Sequence, residues 1–482
     1  MADVCVIGAG VAGLTAALWL RQADHTVTVL EAKPQAGGLS TTVRRGDVLC
    51  EIDAEGRAQH QTAGLDAGLY VNAGPGRLPH HHRRILALCD ELGVALEPYV
   101  MSSDANYYVD ASTGERYRRR RIEHDARGHL AELAYSGDDA PALRELVRSF
   151  GDLDERGRYA GTMRAGDGEV VPVGRLAGLG FWRHRFWQPL SYLWQDSMFQ
   201  PVGGMDWIWQ AMLGHVGDAV VYNAPVERIA TSRGGVEVVW REGGRRASKR
   251  FDWCLSSIPL PILGRMLLDG FTKEYRKAIR TPSFAAACKV GWQSEQRWWE
   301  SDVEQIYGGI SYTDADIQQF WYPSAVGPVQ GPATLTGAYA AYGAAERLGA
   351  LSVAERIDTA RKQGSLIHAQ VADEALVPTR KAVTVAWHRV PYQAGGWCDW
   401  QPGNPAHAKA FAALQVPAGR FCVIGDQVSS WPGWQEGCLE SVERATAYID
   451  GGLPRLVAEV PDSRWLTMGD YPWGPENHPI QA

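Results

Sequence analysis

The chain has 482 residues, 45% hydrophobic and 21% charged, with a net charge of −7. That length accommodates two or three domains with an ample core, and the acidic balance gives no reason to expect a nucleic-acid partner. No window holds the ~18 uninterrupted apolar residues of a spanning helix, no basic stretch precedes an apolar one at the start, and the eight cysteines are scattered without a CxxC pair. No membrane anchor, signal peptide or disulfide framework is therefore expected, and a reducing cytoplasm fits.

The first forty residues read as one unit. An apolar run, 4–7, enters Gly8-Ala9-Gly10-Val11-Ala12-Gly13, an Ala/Leu-rich helical pattern continues to Leu20, and a second strand, 27–30, ends in Glu31. This is a βαβ dinucleotide pattern: Gly8 for the tight turn, Gly10 for close approach of a pyrophosphate, Gly13 for helix–strand packing. The pyrophosphate rests on the positive end of the helix, and Glu31 stands where a carboxylate accepts from ribose hydroxyls. Which dinucleotide binds is not decided by these residues.

A two-glycine loop, Ala36-Gly37-Gly38-Leu39-Ser40, follows, and residues 69–79 end a strand in a Gly/Pro loop. Residues 80–92 have helical spacing. Their His80-His81-His82 triplet could suggest a metal, but adjacent histidines on a helix point in different directions, so a solvated helix start is expected and no metal site. Residues 106–200 read as a mostly helical insertion, with a basic run at 118–121, helical periodicity over 130–150 and an aromatic stretch at 181–187. A loop at 201–206 enters a helix, 207–215, with Asp206 as N-cap. Strands are expected at 219–222, 226–231, 236–240 and 253–258, with a hairpin at Gly243-Gly244. Strands at 286–292, 319–322 and 333–339 then alternate with a helix at 353–371. A buried strand, 421–426, ends in Gly425-Asp426, a helix covers 437–449, and a polar tail, 460–482, is expected to lie extended over a surface or a neighbouring subunit. Nineteen tryptophans suggest a pocket or simply a Trp-rich core.

Five separated stretches together resemble the flavin-containing amine oxidases, the superfamily of monoamine oxidases and L-amino-acid oxidases. They are GAGVAGLTAA with Glu31, the Gly37-Gly38 loop, PVGGMDWI at 201–208, AACKVGW at 286–292, and CVIGDQVSSWPGWQEGCLESVERA at 422–445. The resemblance implies an α/β protein with a discontinuous Rossmann-like FAD-binding lobe (1–70, 201–282 and 415–455) and a mixed-sheet substrate lobe (71–105 and 283–414). The mostly helical insertion (106–200) and an extended tail (456–482) complete it. It assigns FAD to Gly8, Gly10, Ala12, Gly13, Glu31, Ala32, Gly38, Leu39, Gly76 and Arg77, to Val226 beside adenine, and to Gly425 and Asp426. Trp434, Glu436, Gly437 and Cys438 fall at the flavin end. Lys289 matches the lysine that faces flavin N5 through a water. Where the family writes GGR this chain has Gly38-Leu39, leaving Arg44 and Arg45 as candidates for the missing phosphate contact.

Within the superfamily, Gly74-Pro75-Gly76-Arg77 is similar to the GPMR-type segment of L-amino-acid oxidases, whose arginine takes the substrate carboxylate; Tyr322 matches a second carboxylate contact. Trp434 would be one wall of the substrate cage and the Gly433 carbonyl an acceptor for the amine, with the other wall from 392–398, including Trp397 and Cys398. Trp397 stands where monoamine oxidases carry a flavin-linked cysteine, which implies non-covalent FAD. Lys289 and Trp434 are the catalytic candidates, and His184 is a candidate base. The implied activity is oxidation of the C–N bond of a bulky or aromatic L-amino acid by hydride transfer to flavin N5. The products are an imine, then a 2-oxo acid, ammonia and hydrogen peroxide, with oxygen as acceptor. The alternatives are an amine oxidase, an oxidative decarboxylase or monooxygenase, or a desaturase acting on an amine or amide intermediate of specialised metabolism; outside catalysis, a flavin-binding protein without turnover. Family relatives suggest a homodimer.

Overall fold

The computed structural model describes residues 1–135, 141–161, 169–179, 197–324 and 330–461. His184, the aromatic stretch around it and most of the tail lie outside the described residues.

A five-stranded parallel sheet gathers chain segments far apart in sequence. Its order is Val220–Val221, Thr26–Leu30, Asp3–Ile7, Trp253–Ser256, Phe421–Val423, and every pairing is parallel. Both faces are covered, which is why the first strand is apolar from Val4 to Ile7 rather than alternating. Val4 and Val6 pack under the helices Val11–Gln22, Trp207–Val216 and Gln435–Ile449. Cys5 and Ile7 point to the opposite side, into a core shared with the sheet Arg245–Phe251, Gly235–Glu242, Val226–Ser232, Leu267–Asp269. The expected hairpin is present: Glu242 pairs with Arg245, and Gly243 and Gly244 both take the positive φ that a two-residue turn of this hand requires.

The second large sheet has seven strands in the order Arg116–Arg118, Tyr107–Val109, Ile310–Thr313, Gln319–Trp321, Ala333–Ala341, Ala287–Ser294, Ala382–Ala386. It is antiparallel except where Tyr107–Val109 meets Ile310–Thr313. Tyr107–Val109 and Arg116–Arg118 are therefore the outer two strands of this sheet, Arg116–Arg118 at its edge, and not part of a helical insertion; the helices Arg119–Ala134, Pro141–Gly151 and Val173–Leu179 come after them. In the strand Ala287–Ser294 all eight residues are buried. Val290 and Trp292 face the core beneath, so Ala287 and Lys289 face the other way.

Two local expectations change. The expected helix at 80–92 begins only at Arg83, and His82, taken as part of a solvated start, is fully buried against Trp431 and Trp434. Burial pushes its imidazole down to about 2, so it stays neutral. Asp206 precedes its helix without a side-chain capping bond; its carboxylate is held instead by Arg44 in a two-point pair at 2.6 and 2.9 Å.

Candidate functional site

A single elongated cavity runs from the end of the parallel sheet to the open face of the seven-stranded sheet. At one end it is lined by Glu31, Ala32, Lys33 and Val226, in the middle by Gly8, Gly10, Val11, Ala12, Gly37, Gly38 and Leu39, and at the far end by Arg77, Lys289, Trp321, Trp397 and Trp434.

The glycines at the first turn are set by contact. Gly8 has φ +98°, and a Cβ at Gly13 would lie 1.8 Å from the Gly8 carbonyl oxygen, so the helix crosses the strand as closely as backbone permits. Gly10 is not sealed: a Cβ there would meet nothing nearer than Gly38 Cα at 3.8 Å. As helix N-cap it offers no side chain, and no acid stands in the first turn, so the leading amides of Val11–Gln22 face the cavity without a side-chain cap. The Glu31 carboxylate, buried at the cavity wall, accepts from the Ala9 amide at 2.7 Å and from the Lys33 amide at 2.8 Å. Each oxygen keeps a free lone-pair direction.

A second helix aims its N-terminus at the same cavity. Gln435–Ile449 has no side-chain capping bond, and its Gln435 and Cys438 line the wall beside Gly433, Trp434, Gly425 and Asp426. Burial raises Asp426 to about 6, although it accepts from the Gly433 amide at 2.7 Å.

At the far end, the Lys289 ammonium donates to the Gly74 carbonyl at 2.5 Å and the Asn72 carbonyl at 3.2 Å. Its pKa is lowered to about 7, first by burial and then by Arg77. The Arg77 guanidinium lies 4.3 Å from the Trp321 ring centre, and Lys289 Nζ lies 4.8 Å from the same ring. Trp387 donates its indole N–H to the Ala73 carbonyl, so three successive carbonyls, Asn72 to Gly74, are gripped by side chains of the sheet and its following turn just before the loop delivers Arg77.

Four expected site residues are elsewhere. Tyr322 is buried with its hydroxyl on Ser311 Oγ at 2.8 Å and His368 Nε2 at 2.6 Å. It does not line the cavity; Trp321 does. Neighbouring strand residues face opposite sides, and Phe320 and Tyr322 go to the core. Cys398 is turned away from the cavity in the same manner, into the core with Trp400, while Trp397 lines it. Glu436 accepts from the Arg84 and Ile85 amides and from the Arg84 guanidinium, capping the helix Arg83–Glu91 from outside. Gly437 makes no cavity wall either: a Cβ would lie 2.2 Å from Ser429 Oγ, so it is needed for packing. Neither Arg44, tied to Asp206 and the Gly203 carbonyl, nor exposed Arg45 reaches the cavity. Among the described residues, the basic ones on its wall are Lys33, Arg77 and Lys289.

The remaining expected residues, Gly8, Gly10, Ala12, Glu31, Ala32, Gly38, Leu39, Gly76, Arg77, Val226, Lys289, Trp397, Gly425, Asp426, Gly433, Trp434 and Cys438, line the cavity, and Gly13 packs behind it. Sequence reasoning missed Lys33, Trp321, Tyr339 and Trp387. The last three sit on or just beyond strands whose inward face could be read only once the pairing register was known. Among the described residues no cluster of His, Cys, Asp or Glu could hold a metal ion, and no helix is long and apolar enough to cross a membrane.

The arrangement defines a dinucleotide-binding α/β protein whose cofactor channel opens into an aromatic, cation-bearing chamber. The chain belongs to the flavin-containing amine oxidoreductase family, whose model matches residues 11–450. It is 25% identical to the flavin-dependent L-tryptophan oxidase RebO of Lentzea aerocolonigenes over 93% of this chain and 98% of that one. It is 24% identical to an L-amino-acid oxidase of Siganus canaliculatus over 93% and 85%. Among solved structures, cyclohexylamine oxidase from Brevibacterium oxydans superposes with a TM-score of 0.61 at 17% identity, covering 93% of this chain and 99% of that one.

Proposed function

We propose that this chain binds FAD non-covalently and oxidises the C–N bond of a bulky or aromatic L-amino acid, with oxygen as acceptor. The products are an imine that hydrolyses to the 2-oxo acid and ammonia, and hydrogen peroxide. The donor set of the channel supports FAD: Glu31 for a ribose, Val226 beside the adenine, and the uncapped amides after Gly10 with the facing Gly37-Gly38 loop for the pyrophosphate. The second uncapped helix N-terminus favours negative charge at the flavin end. Non-covalent binding is supported by the outward turn of Cys398. Cys438 does line the cavity, but burial raises its thiol and keeps it protonated and unreactive.

When bound, FAD supplies the two-electron acceptor that takes hydride from the substrate α-carbon and passes the electrons to oxygen. The chain's part is to position that carbon and exclude water. Arg77 offers its guanidinium fork to the carboxylate from its seat 4.3 Å from the Trp321 ring centre. Trp434 and Trp397 confine the side chain, and the Gly433 carbonyl accepts from the amine. Lys289 presents Nζ to the same space, where it holds a water. All eight cysteines are free thiols, which supports a reducing compartment; a cytoplasmic homodimer is part of the same proposal.

The observation that carries the reading is Arg77, buried at 6% exposure on the cavity wall among aromatic rings. Amino acids of graded size, with their decarboxylated amines, mixed anaerobically with the holoenzyme should bleach the flavin only where substrate fits. Arg77→Met should raise KM for amino acids about 10- to 150-fold, the loss of a charge-assisted pair of ~1.5–3 kcal/mol, and leave the amines unaffected. An unchanged KM sinks the carboxylate assignment. Product analysis separates oxo acid from amide or alkene.

A further inference from the structure

Two basic side chains share one indole in the chamber: Arg77 lies at 4.3 Å and Lys289 at 4.8 Å from the Trp321 ring centre. Resting on the reading of Arg77 as the carboxylate site, we infer that carboxylate binding at Arg77 is coupled to uptake of a solvent proton by Lys289, which serves as the charge-compensating partner of the substrate-binding arginine.

The stereochemistry is specific. A neutral lysine amine has two N–H donors, and two carbonyls, Asn72 and Gly74, stand in front of Nζ. The amine form is therefore satisfied by the loop alone. Protonation adds a third N–H, which the two carbonyls leave for the chamber. Both forms keep the grip on the loop that carries Arg77, so the proton changes charge rather than fold.

The electrostatics run the same way. Groups facing Nζ are Arg77 from the 74–77 loop, the Tyr339 phenol from Ala333–Ala341 at 5.1 Å to its ring centre, and Trp321. The neighbouring strand Ala382–Ala386 contains no ionisable residue. Among the described residues the one charge acting on Lys289 is Arg77, and with burial it holds the ammonium down to about 7. A carboxylate on Arg77 cancels that repulsion and adds an attraction, so the Lys289 pKa rises. One N–H bond forms on Nζ, the proton coming from solvent, and the chamber's net charge is conserved as one negative and one positive charge enter. By linkage the carboxylate then binds more weakly as pH rises above the free-enzyme value, because a proton must be taken from a scarcer pool.

The test uses holoenzyme and benzoate, a carboxylate that cannot be oxidised here. Calorimetric titrations at pH 8 in two buffers of different ionisation heat give the protons taken up. Wild type should take up close to one proton at pH 8 and close to none at pH 6. Its benzoate Kd should weaken by about tenfold per pH unit above 7. Lys289→Met should abolish the uptake, and benzamide should bind wild type without it. If Arg77→Met leaves benzoate affinity unchanged, the carboxylate assignment itself fails. If affinity depends on Arg77 but the wild-type Kd is flat from pH 6 to 9, or uptake persists in Lys289→Met, the coupling is overturned. The wild-type pH series decides this even where the Lys289 variant does not retain flavin.

Discussion

Trp321 is the residue about which the chamber is arranged. Its N–H is fixed on Gln319 Oε1 at 2.9 Å, its ring packs edge-on with Tyr339 at 4.9 Å, and Arg77 and Lys289 lie against it. Such contacts are strongest when desolvated, at about 2 kcal/mol, and here they fix the guanidinium in the chamber where the proposed function seats a carboxylate. The adjacent Tyr322 belongs to a separate buried network with Ser311, His368 and Glu304. Tyr322→Phe should therefore leave KM for amino acids unchanged while lowering stability by roughly 1–3 kcal/mol, since Ser311 and His368 lose a partner; a rise in KM without loss of stability would return Tyr322 to the site. Arg77, Lys289 and Trp434 were readable because residue type and motif coincide. Tyr322 was named one position from the lining Trp321, and Cys398 was named alongside the lining Trp397, because a motif fixes where a strand runs but only its pairing fixes which alternate residues face in. Glu436 was misread because the helix it caps, Arg83–Glu91, is distant in sequence and meets it only in the folded chain.

At the scale of elements, two helix N-termini converge on one channel, and neither has a side-chain cap. Side chains do cap three other helices: Ser352 and Glu355 form a reciprocal box at Val353–Ile367, and Thr272 and Asn404 cap theirs, while Arg119–Ala134, Trp207–Val216 and Tyr342–Ala350 go without, as these two do. Leaving Gly10 bare forgoes a little helix stability and keeps the leading amides for an anion. Gly10→Asp tests this directly. The backbone there, at φ −79° and ψ −176°, accepts any residue, and a Cβ meets no close atom. The variant should change apoprotein stability by less than about 1 kcal/mol yet lose most bound flavin, read as the ratio of 450 to 280 nm absorbance. A variant that purifies fully yellow would show that no anion sits at this helix end. The opening βαβ unit was legible because strand, glycines and acid lie within one short stretch of chain. The short strands Tyr107–Val109 and Arg116–Arg118 were not, because three-residue strands carry too little periodicity to stand out from a neighbouring helical segment.

At the scale of the molecule, residues from the first forty positions and from beyond position 420 line the same channel, while the strands between them, Val220–Val221 and Trp253–Ser256, complete the sheet beneath. A ligand in that channel touches both ends of the chain and both large sheets, so it binds the folded state and not the unfolded one. Mass action then sets the size of the effect: free FAD at about a hundred times its Kd adds ~2.7 kcal/mol to the unfolding free energy, and each further tenfold adds ~1.4 kcal/mol. The midpoint temperature of the flavin-stripped protein should therefore climb steadily with added FAD, and added FMN, which lacks the adenylate half proposed to sit at Glu31 and Val226, should raise it far less. A covalently attached flavin gives the opposite pattern: a midpoint independent of free FAD and a yellow pellet after acid precipitation. Flavin in the acid supernatant together with a logarithmic rise in the midpoint establishes a cofactor held by the channel alone. A pellet that retains the flavin would require a thiol such as Cys438 to react despite its burial.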